Sequence, residues 1–420
     1  MFKFLHAADI HLDSPLHRLS DYEGAPVEEI RQASRRAFEN LVKMALAEKV
    51  AFVLIAGDLY DGDWRDYNTG LYFVSQMNKL REANIPVFIT AGNHDAASKI
   101  TKSLRLPEGV ILFAAEEAET HKLNTEGIAI HGQSFISPSV RKNLAATYPQ
   151  SLPGYFNIGI LHTCATGREG HEPYAPCTNE DLRSRGYDYW ALGHVHQKEI
   201  VTQDPLAVFP GNIQGRHIRE SGPKGCMLVT VDDRGRPSAE FRSLDVIRWF
   251  RVEIDSSGKT QGYDVVDAVG GRLDELLEQN PGLAIAMRIE LTGPCPVHDE
   301  LASDLERWEN EIRSVALDRG GGRIWIEKVR LQTTVPIDMR GLESTEGPLA
   351  ELTRYLEELQ VDPDLLNTLG GVLDDLIKQL PRELKTPDEG FVLGDRKWLV
   401  RMIELVRPML IRRLTKVDSK

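Results

Sequence analysis

The chain is poor in cysteine and short of positive charge. Its four cysteines, Cys164, Cys177, Cys226 and Cys295, lie far apart and form no Cys-x-x-Cys pair. That excludes a zinc knuckle and a disulfide framework, and leaves packed thiols of the kind found in a reducing cytoplasm. With 50 Lys+Arg against 63 Asp+Glu, the formal net charge of −13 argues against a protein that holds nucleic acid by its overall field. An enzyme that grips a polymer in a local groove, and leaves affinity to a partner, is not excluded. No apolar run approaches the roughly 20 residues of a membrane span. The opening Met1-Phe2-Lys3-Phe4-Leu5 is too short for a signal-peptide core, so a cytoplasmic protein with no membrane contact is expected. Internal repeats and low-complexity tracts are also lacking.

What remains is an ordinary globular composition, 41% hydrophobic and 27% charged, over 420 residues, enough for two or three cores. The first third alternates strand and helix patterns. Phe2–Ala8, Val50–Ala56 and Ile85–Ala91 read as strands, and Val27–Lys49 and Gly70–Glu82 as helices. This order implies a largely parallel sheet with covering helices. Shorter strands follow at Val110–Phe113, Ile128–His131, Ile158–His162, Tyr189–Leu192, Ala207–Phe209 and Met227–Val231, and predict a more antiparallel sheet packed on the first. Residues 1–245 therefore form one two-layered domain. From 246 to 335 the pattern strand, helix, strand, helix (Asp299–Leu317), strand predicts a small α+β domain, with Gly320-Gly321-Gly322 as a tight connection. Residues 343–420 read as a helical tail. Its 343–389 part carries 12 Asp/Glu against 4 Lys/Arg, and 396–420 reverses this with 8 Lys/Arg against 2 Asp/Glu. Trp398, Met402, Leu405 and Met409 form an apolar stripe on that basic helix, broken near Pro408. The stripe either packs on the chain itself or docks a partner.

The chemistry-bearing residues gather where strands end. The first strand ends in Asp9-Ile10-His11, the second in Gly57-Asp58-Leu59-Tyr60-Asp61, the third in Gly92-Asn93-His94-Asp95. Ile158–Leu161 ends at His162, and Trp190–Leu192 ends in Gly193-His194-Val195-His196. Open α/β sheets place their sites at such carboxyl ends, and Gly92 allows a sharp turn there. Imidazoles mixed with oxygen donors, and no thiolate, suit manganese, iron or zinc. Seven ligands exceed one ion, but fit two ions about 3.5–4 Å apart with a shared carboxylate. Each motif alone has a bland reading, as a polar turn or a packed histidine.

This ordered set resembles the calcineurin-like metallophosphoesterase superfamily. The resemblance implies a four-layer α/β/β/α sandwich. It also implies that Asp9, His11, Asp58 and His196 bind one metal, and that Asp58, Asn93, His162 and His194 bind the second, with Asp58 bridging. His94 would attend the leaving oxygen. The stretches His6–Pro15, Ala56–Asp61 and Tyr189–His196 look like the DNA repair exonuclease branch that includes the SbcCD nuclease subunit. Gly170–Cys177 and Phe209–Asn212 look like its YhaO-like subgroup. Asp61 stands where some members carry a histidine beside the substrate. The resemblance thus implies a two-metal DNA exonuclease or endonuclease of DNA repair, loaded with Mn2+ and paired with an SMC-like ATPase, and leaves a homodimer open. The alternative enzyme is a phosphatase or phosphodiesterase acting on a nucleotide or phosphoprotein, and a third class is a scaffold without catalysis.

Other residues have weaker signals. Asp13 and Asp95, grouped with Asp61, either orient ligand imidazoles or cap turns. Arg216 and His217, after Pro210-Gly211-Asn212, are candidates to bind a phosphate of the substrate. His171 lies in a Gly/Pro-rich loop, and His17, His121, His131 and His298 read as structural.

Overall fold

The computed structural model describes residues 1–14, 27–61, 67–97, 106–165, 174–336, 348–379 and 395–417. Strands β1 (Phe2–Ala7), β2 (Phe52–Ala56), β3 (Val87–Thr90) and β4 (Val110–Leu112) run parallel and adjacent. Beyond β1, strands β11 (Gly225–Val231) and β12 (Pro237–Ser243) extend the sheet antiparallel, in the order β12-β11-β1-β2-β3-β4. A second sheet has the order β5-β6-β7-β8-β10-β9, from β5 (Glu119–Leu123), β6 (Ile128–Gly132), β7 (Phe156–His162), β8 (Tyr189–Gly193), β9 (Glu199–Gln203) and β10 (Leu206–Phe209).

The expected antiparallel character of this second sheet is corrected. β6, β7, β8 and β10 run parallel, and only the edges β5 and β9 run against them. Long crossovers after β6 and β7 bring the chain back to the same end, which a hairpin cannot do. Strands β5 (ETHKL), β9 (EIVTQ) and β12 (PSAEFRS) were not anticipated. All three are sheet edges, where charge and polarity discourage pairing with other chains and erase the apolar signal.

Strand alternation sorts the core into layers. Phe4, Phe52 and Leu54 point between the sheets, where they meet Ile130, Ile158 and Tyr189. Leu5, Val53 and Ile55 point the other way, beneath helices α1 (Val27–Glu48) and α2 (Tyr67–Glu82), against Phe38, Leu41 and Phe73. The far face of the second sheet buries Trp190 and Leu192 under Tyr148 and Leu182, the latter on the short helix α4 (Asn179–Arg183). Helix α3 (Asn93–Ala97) begins directly after β3. His6 joins the two sheets, its ring bonded to the Tyr189 hydroxyl at 2.9 Å and the Leu192 carbonyl at 3.1 Å. Burial pushes that imidazole down to about 3, so it is a neutral cross-brace.

Contacts divide the chain into two compact units. The first holds Met1–Phe250, Gly282–Met287 and Arg323–Glu327, and the second holds Arg251–Pro281, Arg288–Gly322 and Lys328–Lys420. Strands β13 (Ile247–Asp255), β14 (Ala284–Pro294) and β15 (Ile324–Thr334) form a three-stranded sheet in that order. In the second unit, α5 (Gly262–Gln279) packs on α7 (Leu305–Gly320) through the ring of Trp308 laid on Gly262. The helix expected over 299–317 is split into α6 (His298–Ser303) and α7. Asp304 leaves helical geometry at φ −145°, and its carboxylate caps α7 by accepting from the Arg307 backbone N–H.

The last helices, α8 (Pro348–Val361), α9 (Pro363–Gln379) and α10 (Arg396–Val417), share an apolar cluster of Leu356, Leu359, Leu366, Leu399 and Ile403. Basic α10 thus lies on acidic α8 and α9, with Arg407 paired to Glu357 at 2.5 Å. The face that α10 buries centres on Leu399 and Ile403, with Trp398 at its margin. The helix runs on through Pro408, so the expected break is absent. Residues 380–394, which include the end of the acidic tract 343–389, lie outside the described residues. Among the described residues, no helix is long and apolar enough to cross a membrane.

The two sheets come close together where β2 and β8 end. A Cβ at Gly193 would lie 1.7 Å from the Ala56 carbonyl oxygen. Gly193→Ala should therefore lose about 1–3 kcal/mol or more of stability. Gly271→Ala, on an open face of α5, should gain about 0.5–1 kcal/mol. Thermal midpoints check both, and an unchanged midpoint for Gly193→Ala would refute the close approach.

Candidate metal centre

The site is built where β1, β2, β3, β7 and β8 finish. Asp9, His11, Asp58 and His194 take left-handed backbone, at φ 51°, 45°, 50° and 104°. Non-glycine residues adopt it at a cost, which surrounding bonds must hold in place. Here Asp9 N donates to Gly57 O at 3.1 Å and His11 N to Asp58 O at 3.0 Å. His194 N donates to the Asp9 carboxylate at 2.9 Å, and His94 N to Asp58 Oδ1 at 2.9 Å. The loops thus fix one another through their own functional groups.

Two glycines make room for this crowding. A Cβ at Gly57, φ 87°, would sit 2.2 Å from His162 Nδ1, and one at Gly92 would sit 2.3 Å from Asp58 Oδ1. Gly92 does not adopt positive φ, so clearance for Asp58 explains it rather than the sharp turn expected.

The seven residues singled out by sequence converge. His11 Nε2 and His196 Nε2 face each other at 3.2 Å, and His196 Nε2 lies 3.7 Å from Asp9 Oδ1. His162 Nε2 lies 3.0 Å from Asn93 Oδ1 and 3.4 Å from Asp58 Oδ2. The groups Asp9/His11/His196 and Asp58/His162/His194 each bring their ligand atoms within 4.8 Å of one another. His11, Asp58 and His94 make a third such group.

Tautomers follow from the outer bonds of the rings. His196 Nδ1 is 2.7 Å from Glu220 Oε1 and must donate to it, leaving a lone pair on Nε2. His162 Nδ1 is 3.0 Å from the Ala56 carbonyl and does likewise. In the neutral rings both inward nitrogens carry a lone pair, the arrangement that suits a cation in place of a proton. The buried charges agree. Burial works against ionising Asp58, yet the surrounding imidazoles hold its carboxyl far below the usual range. Burial likewise disfavours charge on His162, but Asp58 and Asp9 push its imidazole up to about 9. The site draws positive charge to its centre, so donor set and electrostatics fit divalent ions.

His94 is different, with a side chain 40% exposed. Its Nδ1 lies 2.6 Å from Asp61 Oδ1. Desolvation opposes a charge there, but the Asp61 hydrogen bond and nearby Asp58 raise the imidazole above its ordinary range. Asp61 also accepts from the Ser14 hydroxyl, so the carboxylate expected near the ligands is the partner of His94.

Asp13 and Asp95 orient no imidazole among the contacts seen. Asp13 is held by Arg35 Nε at 2.7 Å and by the Thr69 hydroxyl. Asp95 accepts from the backbone of Gly92, Leu59 and Tyr60, at 3.0, 3.1 and 2.8 Å, and so pins two ligand loops together. Arg216 lines the cleft, and both ends of its guanidinium are engaged within the site, Nη2 with Glu220 Oε1 at 3.2 Å and Nη1 with Asp61 Oδ2 at 3.4 Å. His217, 46% exposed, does reach the cleft. His131 is a packed residue bonded to Asn157, as expected, while His17 and His171 lie outside the described residues. Sequence reasoning missed Glu220 and Lys224, whose Nζ donates to the His196 carbonyl at 2.7 Å. No local motif marks either one, because their partner is more than twenty residues away.

Residues 2–198 match the calcineurin-like phosphoesterase family, and residues 249–334 match the middle domain of metallophosphoesterase YhaO. The chain is 34% identical over 300 residues to the uncharacterized metallophosphoesterase YhaO of Bacillus subtilis, across 70% of this chain and 72% of that one. It is 25% identical over 416 residues to the DNA double-strand break repair protein Mre11 of Methanopyrus kandleri, covering 89% of this chain and 83% of the relative. For Mre11 of Sulfolobus acidocaldarius the figures are 24% over 382 residues, with 87% and 94% covered. With a phosphoesterase sandwich, a metal-binding residue cluster at its strand ends and a YhaO-type middle domain in one chain, the protein belongs to the calcineurin-like metallophosphoesterases, in the YhaO group.

Proposed function

We propose that the chain is a metal-dependent nuclease that hydrolyses phosphodiester bonds in DNA and works in repair with an SMC-like ATPase. In this reading Asp9, His11, Asp58 and His196 hold one divalent ion, and Asp58, Asn93, His162 and His194 hold the other. Manganese is the ion best suited to imidazole and oxygen donors without a thiolate. The observation that carries the reading is Asp58. Its Oδ1 is occupied by His94 N, while Oδ2 faces His162 Nε2 at 3.4 Å and His11 Nε2 at 4.0 Å. One carboxylate oxygen thus lies between both ligand groups. When bound, two ions would neutralise the non-bridging phosphate oxygens and supply a nucleophile at neutral pH.

The remaining chemistry belongs to the chain's own groups. Asp61 holds Nδ1 of His94 and favours its charged form, so Nε2 is left to give a proton to the departing sugar oxygen. The cleft of about 670 Å³ at this centre is walled by His217, Arg219 and Lys224, which suits a polyanion held locally by a chain of net charge −13. The DNA repair relatives support the choice of DNA. The ATPase would dock on the helical tail, residues 343–420, where Tyr355, Val372 and Val406 are exposed.

His94→Gln should keep both ions while lowering turnover of DNA by about 10²–10⁴. Elemental analysis checks occupancy, and loss of an ion in that variant would make His94 a ligand. With Mn2+, the protein should release nucleotides from linear duplex DNA. Turnover of p-nitrophenyl phosphate esters alone would contradict the nuclease and favour a phosphatase.

A further inference from the structure

We propose that Glu220 is a positioning residue that fixes the His196 imidazole for metal binding, with Arg216 and Asn212 as its anchors. The proposal rests on the two-ion reading above. Glu220 ends the 3-10 turn Ile218–Glu220 and is 5% exposed. A carboxylate buried this far must have its oxygens satisfied. Oε1 accepts from His196 Nδ1 at 2.7 Å and from Arg216 Nη2 at 3.2 Å. Oε2 accepts from Asn212 Nδ2 at 3.0 Å and from the Arg216 backbone N–H at 2.8 Å.

These bonds have a direction. A carboxylate only accepts, so His196 must carry its proton on Nδ1 and present a bare Nε2. That Nε2 is the atom facing His11 and Asp9 at 3.2 and 3.7 Å. Without Glu220 the ring is free to adopt the other tautomer or to turn, and either removes a ligand. Lys224 holds the same residue by its carbonyl, so ring and backbone are both clamped by the segment after β10. Arg216 extends the brace, because its Nη1 reaches Asp61, the partner of His94. A ligand of one ion and the leaving-group acid thus lean on a single Glu220–Arg216 pair. A carboxylate that merely stabilised the fold would have no reason to select one nitrogen of a ligand ring.

The test uses the metal-free full chain, titrated with MnCl2 by calorimetry, alongside long-range ¹H–¹⁵N spectra of the histidine rings. In the parent protein His196 should show the Nδ1-protonated tautomer, and two ions should bind. Glu220→Gln should weaken one ion by about 10–100-fold, leave the other unchanged, and lose the single tautomer. An unchanged isotherm with an unchanged tautomer would overturn the proposal. If Glu220→Gln does not fold by circular dichroism, Glu220→Asp keeps the charge but withdraws it by one methylene. The same selective loss is expected there, and an unchanged isotherm would again overturn it. A parent chain that binds one ion, yet shows the Glu220-dependent tautomer, would defeat the two-ion reading and not the positioning role.

Discussion

The Asp58 carboxylate, buried at the ends of two packed sheets, is the constraint on which the site depends. An ionised carboxylate in such a place is costly unless its oxygens are matched by donors or cations. One oxygen takes the His94 backbone N–H, and the other faces two imidazoles, of His162 and His11. Around it the backbone accepts left-handed geometry at four functional residues, and two glycines surrender their side chains to clear His162 and Asp58. Folding stability is spent here on an arrangement that no packing argument requires. That is the pattern expected where the constellation is kept for its chemistry.

Much of this site was legible in the sequence, because its functional groups sit at the ends of apolar strands. Asp9 with His11, Asn93 with His94 and His194 with His196 are local in the chain, and five such endings in order define one rim. The parallel core strands were legible for the same reason, since FVLIA and VFIT are buried on both faces. The edge strands β5, β9 and β12 were hidden by the polarity that protects an edge. The split at Asp304 was hidden because a one-residue break leaves the helical rhythm on both sides intact. Glu220 was invisible for a further reason. Its role comes from meeting His196 in space, and nothing in Ile218-Arg219-Glu220 announces that meeting.

The acidic balance of the chain also takes on a location. Part of the excess lies on α8 and α9, where basic α10 covers it and Arg407 pairs with Glu357. Leu399 and Ile403, beside the apolar stripe visible in the sequence, are buried in that contact with Trp398 at its margin, while the side chains of Leu405 and Met409 lie outside the described residues. At the catalytic end, positive groups cluster locally at Arg216, Arg219 and Lys224. Of these, Arg216 and Lys224 also brace the site, through Glu220, Asp61 and the His196 carbonyl.

The most direct test of the account is the number of ions that Asp58 holds. Purified protein saturated with Mn2+ and freed of excess metal should carry two ions per chain by elemental analysis. Asp58→Asn replaces the shared carboxylate by a neutral amide and should retain neither ion under the same washing, with the fold intact by circular dichroism. One ion per chain at saturation in the parent protein, or two ions still bound in Asp58→Asn, would contradict a centre organised around that carboxylate.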